Sequence, residues 1–562
     1  MCRQRSRSRD PSGANTLATQ LPLMEYKMIR STILALLLFC PFAAHAARPN
    51  IIIILVDDMG YSDLGCYGGE IETPNLDQLA EDGLRFTQFY NYGRCCPTRA
   101  SLMTGRHPHQ VGIGHMTEPP GSPLGITGPY QGYLNNRCVT IAQVLKGAGY
   151  HTLMTGKWHL GHEQQECWPL QRGFDRFYGG LSGAFNYFRP GGDRGMSDGN
   201  ARVDTGNSFY ATDTFTEVAC KYITETTRQD DRPFFLYLAY NAPHWPLNAK
   251  VADFEKYRGR YTKGWEALMK TRLEKQKRIG LFAEDIQPAP HVGPKWNSLS
   301  EQQRDNLDAI MAAYAGCVDS IDQNIGRLTD HLRKLDQFDN TVIFFLSDNG
   351  ACQEGGTLGK GSEEMVRNPP LETVQGVRQG LAWANASNTP FRLYKHFVHE
   401  GGACTPMIAS WPAGIPRKDA GTFVRQYACL PDFMATCVQL AETKYPDKVP
   451  ACEGESILPL LRGDRRPIHT RPFYWEHEGN AAMRWGRWKL VREYEKPWEL
   501  FDISRDRTEM QNLAEEEAVQ KNQMIQMWTT WATKNGVAFP KRFNMYQFLN
   551  QKKQAERKQP KK

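Results

Sequence analysis

The sequence predicts an α/β fold: a large domain with a mainly parallel central sheet flanked by helices, then a smaller C-terminal α+β domain with an antiparallel sheet. Three observations carry this. Ile51–Val56 is a continuous apolar, β-branched-rich run, the pattern of a strand buried on both faces of a parallel sheet. Further apolar runs alternate with helix-length segments along the chain. Beyond residue 465, short aromatic-rich runs separated by turns fit a small antiparallel sheet.

Taken in order, the first strand ends abruptly in Asp57-Asp58-Met59-Gly60. Thr73-Pro74 opens a helix with a cap and a first-position proline, and Gly83 closes it. A second helix over about 139–148 ends at Gly149 and leads into a short strand, 151–155, followed by Gly156-Lys157-Trp158-His159. A third strand, 234–240, runs into Asn241-Ala242-Pro243-His244. A fourth, 341–346, runs into Ser347-Asp348-Asn349-Gly350. Each of these endings alone is common turn chemistry. Four of them just past strand C-termini point to a ligand site, because open α/β sheets bind ligands at the carboxyl ends of their strands.

Composition bounds the class. Apolar residues make up 40% of the 562 and charged residues 23%, enough for a large core and unlike a disordered or repeat chain. The net charge of +7 belongs to the ends. Residues 1–46 hold six basic and two acidic side chains, residues 551–562 hold six and one, and the body between them is nearly neutral. A nucleic-acid partner is therefore not expected, and 541–562 is read as a solvated basic tail. Residues 1–46 read as a signal peptide: Lys27 and Arg30 precede the apolar run 33–39, and Ala44-His45-Ala46 supplies small residues for cleavage. Met24 or Met28 would be a more conventional start, so the Arg-rich residues before them are read as a misassigned upstream extension. The run is too short for a membrane span, so no stable membrane anchor is expected and export to a periplasm or outside the cell is. Of fourteen cysteines, Cys2 and Cys40 fall in that segment, and the other twelve are too few for a disulfide scaffold.

Asp57, Asp58, Asp348 and Asn349 are oxygen donors, suited to a hard cation such as Ca2+ or Mg2+ rather than zinc. Three carboxylates brought together repel one another unless a cation neutralises them. Lys157, His159 and His244 would supply positive charge and proton donors to an oxyanion site. The segment Arg94-Cys95-Cys96-Pro97-Thr98-Arg99 reads as a helix start with Pro97 at its first position. Cys95 is then at or just before the N-terminus, and Arg99 in the first turn.

Cys95-x-Pro97-Thr98-Arg99 followed by Leu102-Met103-Thr104-Gly105-Arg106 resembles the signature of type I, formylglycine-dependent sulfatases, in the arylsulfatase branch of the alkaline-phosphatase-like superfamily. The likeness extends to Asp57-Asp58, Gly156 to Gly161, Pro243-His244, Asp348-Asn349-Gly350, and Lys395 ahead of Glu400-Gly401-Gly402, over about residues 48–514. It implies that a maturation enzyme oxidises Cys95 to formylglycine. One Ca2+ would be held by Asp57, Asp58, Asp348 and Asn349, with an oxygen of the modified Cys95 near it. The hydrated aldehyde would attack the sulfur of a sulfate monoester, while Lys157 and Lys395 hold the sulfate oxygens. His244, with Lys395, would serve the leaving alkoxide; His159 would take the proton whose loss expels sulfate; Arg99 would orient the diol. Thr98 stands where the signature more often has Ser, and Cys96 places a second thiol beside the aldehyde position.

The domains expected are a catalytic domain over 47–465 and a C-terminal antiparallel-sheet subdomain with a helix over 466–540. Residues 353–387 read as a long surface excursion. Residues 250–296, basic and aromatic, fit either an exposed helix pair around 264–278 or a groove for an anionic sugar polymer. The resemblance thus implies an aryl or a sugar sulfate as substrate. A phosphate or phosphonate ester hydrolase would more usually carry a Thr or Ser nucleophile and two transition metals. A silent sulfated-glycan binder would be expected to lose one of Cys95, Arg99, Lys157, His159 or His244, and all are present.

Overall fold

The computed structural model describes residues 48–117, 128–370 and 373–538; the expected signal peptide and basic tail lie outside them. Eleven strands form the large sheet: β1 (Asn50–Val56), β2 (Leu84–Tyr90), β3 (His151–Gly156), β4 (Arg176–Gly180), β5 (Met196–Asp198), β6 (Ala201–Val203), β7 (Phe234–Ala239), β8 (Thr341–Ser347), β9 (Cys404–Ser410), β10 (Thr422–Val424) and β11 (Ala428–Cys429). Their order is β10-β2-β9-β8-β1-β7-β3-β4-β5-β6, with β11 also on β2. The four strands whose ends carry polar residues are neighbours, β8-β1-β7-β3, and all pair in parallel. Their C-terminal ends therefore share one edge. All of β1 is buried, as its unbroken apolar run requires.

Helices cover the sheet. The longest, Glu301–Lys334, starts from a capping box in which Ser300 and Gln303 satisfy each other's backbone N–H groups. Its buried Asp322 accepts from the backbone N–H groups of Asn75 and Leu76. Asp322 thus caps the helix Pro74–Glu81, the role expected of Thr73. Thr73 Oγ1 instead accepts from Gly65 N and donates to Asp77.

Two sequence expectations change here. In 353–387, the last part is core: the helix Gly380–Ser387 buries Ala382, Trp383, Ala384 and Ala386, and Ser62 N bonds the Ser387 carbonyl. The helix Gly264–Arg278 is no exposed pair either. Trp265 is buried against Trp296 and Trp383, Arg272 is buried between Asp63 and Glu70, and Gln276 bonds the carbonyls of Tyr67 and Thr389. The basic and aromatic groups of this insertion are largely consumed in anchoring it.

Four strands, β12 (Phe473–His477), β13 (Asn480–Trp485), β14 (Trp488–Arg492) and β15 (Glu499–Asp502), form the antiparallel sheet. Its side chains alternate as a strand's must. Trp475, Ala482, Val491 and Phe501 join the main core, whereas Ala481, Met483, Leu490 and Leu500 pack with Met524 and Trp528 of the C-terminal helix Ala518–Lys534. A buried ionic cluster ties the two sheets together. Glu400 accepts from Lys489 at 2.8 Å, Arg507 at 3.1 Å and the Tyr90 hydroxyl at 3.0 Å, and Lys489 also meets Glu509 at 2.9 Å. Among the described residues no helix is long and apolar enough to cross a membrane.

Candidate active site

At the shared edge, each strand hands one or two polar side chains to a single buried cluster. Asp57 and Asp58 follow β1, Lys157 and His159 follow β3, His244 follows β7, and Asp348 and Asn349 follow β8; all are buried. Lys157 leaves β3 through Gly156, whose φ of 105° no ordinary side chain adopts easily. A Cβ there would lie 1.9 Å from the Ala239 carbonyl oxygen. Asp58 (φ 73°) and His159 (φ 59°) are themselves held in the left-handed region, a backbone strain that accumulates at functional sites.

The carboxylates are threaded by cations. Asp57 Oδ2 accepts from Lys157 Nζ at 2.5 Å and lies 3.5 Å from Arg99. Arg99 grips Asp348 Oδ2 through Nε at 3.2 Å and a terminal nitrogen at 2.8 Å. Lys395 Nζ sits 2.6 Å from Asp58 Oδ1 and 2.9 Å from Oδ2, with Asn349 donating to Oδ1 at 2.7 Å and His244 Nε2 3.6 Å from Oδ2. Burial works to raise Asp57, but Lys157, His244 and Arg99 outweigh it and hold the carboxyl near 2. Asp348 goes the other way: burial and the neighbouring Asp57 charge push it well above the usual range. Burial works against the Lys395 ammonium, yet the Asp58 carboxylate holds its pKa well above the ordinary lysine value.

Oxygens remain over. Asp57 Oδ1 and Asn349 Oδ1 are buried and have no hydrogen-bond partner. Buried acceptors are rarely left so, and with Asp58 and Asp348 they make an all-oxygen donor set beside a self-repelling carboxylate pair. These residues fit a hard divalent cation such as Ca2+.

Cys95 begins the helix Cys95–Thr104, so Pro97 is its third residue, not its first; the helix ends on Gly105 in the left-handed conformation. Cys95, Cys96 and His159 bring their ligand atoms within 4.8 Å of one another. A hydrogen bond from Cys96 lowers the Cys95 thiol well below the ordinary value; burial opposes this, and Lys157 and His159 add to it. Cys96 stays a buried thiol near Met116, 3.6 Å from its sulfur. Burial pulls His159 down to about 4, which leaves that imidazole neutral at neutral pH; burial also pulls His244 below its usual value, with the Asp58 carboxylate opposing. His244 Nδ1 is bonded to the Trp245 carbonyl at 2.6 Å, which aims Nε2 at the cluster.

All ten residues singled out from the sequence therefore meet in one place. Sequence reasoning missed the rim. Glu354 pairs with Arg94 at 3.2 Å, lies 3.9 Å from Lys395 and accepts from Trp245 Nε1 at 2.7 Å, while Arg378 covers the Trp245 ring at 4.0 Å. The available signal was Glu354 lying four residues beyond Gly350, inside a stretch read as surface excursion.

Comparison with known proteins places the chain among sulfatases. The family model described as Sulfatase matches residues 49–443, and the model for the C-terminal part of N-sulphoglucosamine sulphohydrolase matches 391–533. An uncharacterized sulfatase of Schizosaccharomyces pombe is 32% identical over 88% of this chain and 95% of its own length. The arylsulfatase of Klebsiella aerogenes is 34% identical over 67% of this chain and 85% of its own. Among solved structures, Ps i-CgsB, also crystallised with k-i-k-neocarrahexaose, superposes with a TM-score of 0.66 at 27% identity, covering 91% of this chain and 98% of that one.

Proposed function

The chain belongs to the sulfatase family and is a sulfuric ester hydrolase, and we propose that it cleaves sulfate monoesters with a formylglycine made from Cys95 and one Ca2+. The observation that carries this reading is the convergence of a thiol-bearing helix start, flanked by His159 and Lys157, on a buried oxygen donor set with two unpartnered oxygens. Asp57, Asp58, Asp348 and Asn349 would hold the ion, with an oxygen on residue 95 completing the set. When present, the ion neutralises the bound sulfate and the hydrated aldehyde offers an oxygen nucleophile.

The chain's own side chains do the rest. Lys157 and Lys395, now engaged by Asp57 and Asp58, are placed to turn their ammonium groups to the sulfate oxygens once the carboxylates bind a cation. Arg99 stays on Asp348 and keeps the first helical turn in register with β8. His244, fixed through Nδ1–H on the Trp245 carbonyl, presents Nε2 to the leaving oxygen and donates a proton there from its imidazolium form, which the Asp58 and Asp57 carboxylates favour, with Lys395 beside it. His159, neutral and next to residue 95, accepts the proton that must leave before sulfate can depart. A thiol at residue 95 would do neither job well, being a soft donor beside a hard ion. The N-terminal pattern supports export before the enzyme acts.

An aryl sulfate is the first substrate class on the Klebsiella likeness, and a sugar sulfate the second on the likeness to Ps i-CgsB. The test is a mass spectrum of the tryptic peptide Cys95–Arg99 from protein made alongside a maturation enzyme. An aldehyde or its hydrate at Cys95, with Cys96 still a thiol, is expected. An unmodified Cys95 beside a matured control sulfatase would bring forward the silent glycan binder.

A further inference from the structure

His396, His477 and Glu478 play no part in the machinery above. His396, at φ 86°, follows Lys395, whose ammonium pairs with Asp58; His477 ends β12; Glu478, at φ 48°, turns the chain into β13. His396 Nδ1 is 3.4 Å from Glu478 Oε2, His477 Nε2 is 3.8 Å from Glu478 Oε1, and one ligand atom from each residue lies within 4.8 Å of the other two. None of these approaches is a hydrogen bond. His396 Nδ1, both ring nitrogens of His477 and both carboxylate oxygens of Glu478 are buried without a hydrogen-bond partner. The His477 side chain is 0% exposed and that of Glu478 2%.

Five such atoms together are far outside the usual accounting of a protein interior. The spacing tells what would satisfy them. Zinc bonds of about 2.0–2.2 Å to nitrogen and oxygen set neighbouring ligands of a tetrahedron roughly 3.3–3.6 Å apart. The two contacts, at 3.4 and 3.8 Å, fall within that range and just beyond it. Atoms this close can share one small ion, and no sugar ring fits between them. Two imidazoles and one carboxylate are an N/O set that suits Zn2+ and not Ca2+. Burial holds His396 down to about 3, lowers His477 well below its usual value and raises Glu478 to about 7, so the imidazoles are in their ligating, neutral form and a cation would return charge to the carboxylate. The nearby Arg94 guanidinium is already paired with Glu354.

We propose that His396, His477 and Glu478 form a second metal site that takes one Zn2+ and pins the β12–β13 turn to the Lys395 loop. Three protein ligands leave a fourth position for water, as in open zinc sites.

The experiment is metal uptake by the full chain, after chelation and back-titration with Zn2+, in parallel with H477Q, E478Q and H396N. The wild type should bind one equivalent more than each variant. The Co2+ difference spectrum, wild type minus H477Q, should show tetrahedral visible bands without a thiolate charge-transfer band, which separates this site from Cys95–Cys96–His159 and from Cys429–Asp432–His469. Equal uptake by wild type and variants, or a thiolate band in the difference, overturns the proposal. Should the variants fail to fold, wild-type crystals soaked in Zn2+ decide: an anomalous peak among the three side chains upholds it, and a water alone overturns it. None of these readouts uses a sulfate ester, so the outcome is separate from that of the catalytic reading.

Discussion

The cluster around Asp57 and the cluster around Glu400 are both buried, both built from carboxylates, lysine and arginine, and both cross-link elements far apart in the chain. They differ in what is left over. At Glu400 both carboxylate oxygens are engaged, by Lys489, Arg507 and Tyr90, and these cations overcome burial and hold the carboxyl near 2. At the strand ends, Asp57 Oδ1 and Asn349 Oδ1 have no partner, and Asp348 is pushed upward by burial and by Asp57. A closed ionic cluster is structural. One with spare oxygens and a self-repelling carboxylate pair is compatible with the cation proposed above.

The sharpest way to break this contrast is at the nucleophile. Cys95→Ala should lower kcat/KM on an aryl sulfate by roughly 10⁴-fold or more while leaving the unfolding free energy close to that of the wild type. A loss within tenfold would remove Cys95 from the chemistry.

Acid next separates the Glu400 cluster from two buried histidines, His107 and His115, that belong to neither cluster. Burial depresses His107 and His115 to about 4 from an ordinary value of 6.5, so the unfolded chain binds more protons than the folded one between those limits. Stability should therefore fall as pH drops through about 6.5 and level off near 4, by on the order of 5 kcal/mol for the pair. Glu400 is depressed as well, so its contribution is present above its ordinary 4.5 and is lost only as pH falls from there toward about 2. Urea unfolding across pH should resolve the two windows. A flat profile between 6.5 and 4 would mean that these histidines are not buried neutral.

Lys489→Met should cost about 3–5 kcal/mol, because it strips a partner from two buried carboxylates. The loss should be the same with calcium or with a chelator. Chelation of the wild type, in contrast, should lower stability by about 3 kcal/mol relative to calcium at a hundredfold excess over its Kd. Asp348→Asn should abolish that calcium increment, and Lys489→Met should keep it. If Asp348→Asn retained the increment, the strand-end cluster would not be the ion site. The smallest effect belongs to Gly183→Ala. A Cβ there would lie 2.3 Å from His159 Nε2, so the ring must shift, and kcat should fall roughly ten- to a hundredfold with KM little changed.

The strand-end residues were legible because their signal is local. An apolar run followed at once by Asp-Asp, Lys-x-His, Pro-His or Asp-Asn needs no knowledge of the rest of the fold, and the Cys95 segment carries its own pattern. Errors arose where a residue's role depends on a distant partner. Thr73 has the chemistry of a cap, but Asp322, some 250 residues on, takes the position. Arg272 and Trp265 look like surface recognition groups until Asp63, Glu70 and the Trp296–Trp383 pair bury them. Gly380–Ser387 follows a polar stretch, yet it packs beneath Gly60 and Ser62.

By itself, then, the sequence determined the α/β class, the strand endings, the candidate nucleophile and the hard-donor set, since strand periodicity and donor chemistry are properties of contiguous residues. Tertiary structure alone decided that β8, β1, β7 and β3 lie side by side, and that Lys395 reaches Asp58 across 337 positions. It alone brought His396 to His477 and Glu478 and closed Glu400 with Lys489 and Arg507. Strand order and buried ion pairing are set by which apolar faces pack together over long chain separations. A single side chain's neighbours are therefore the product of the whole core, and no local pattern encodes them.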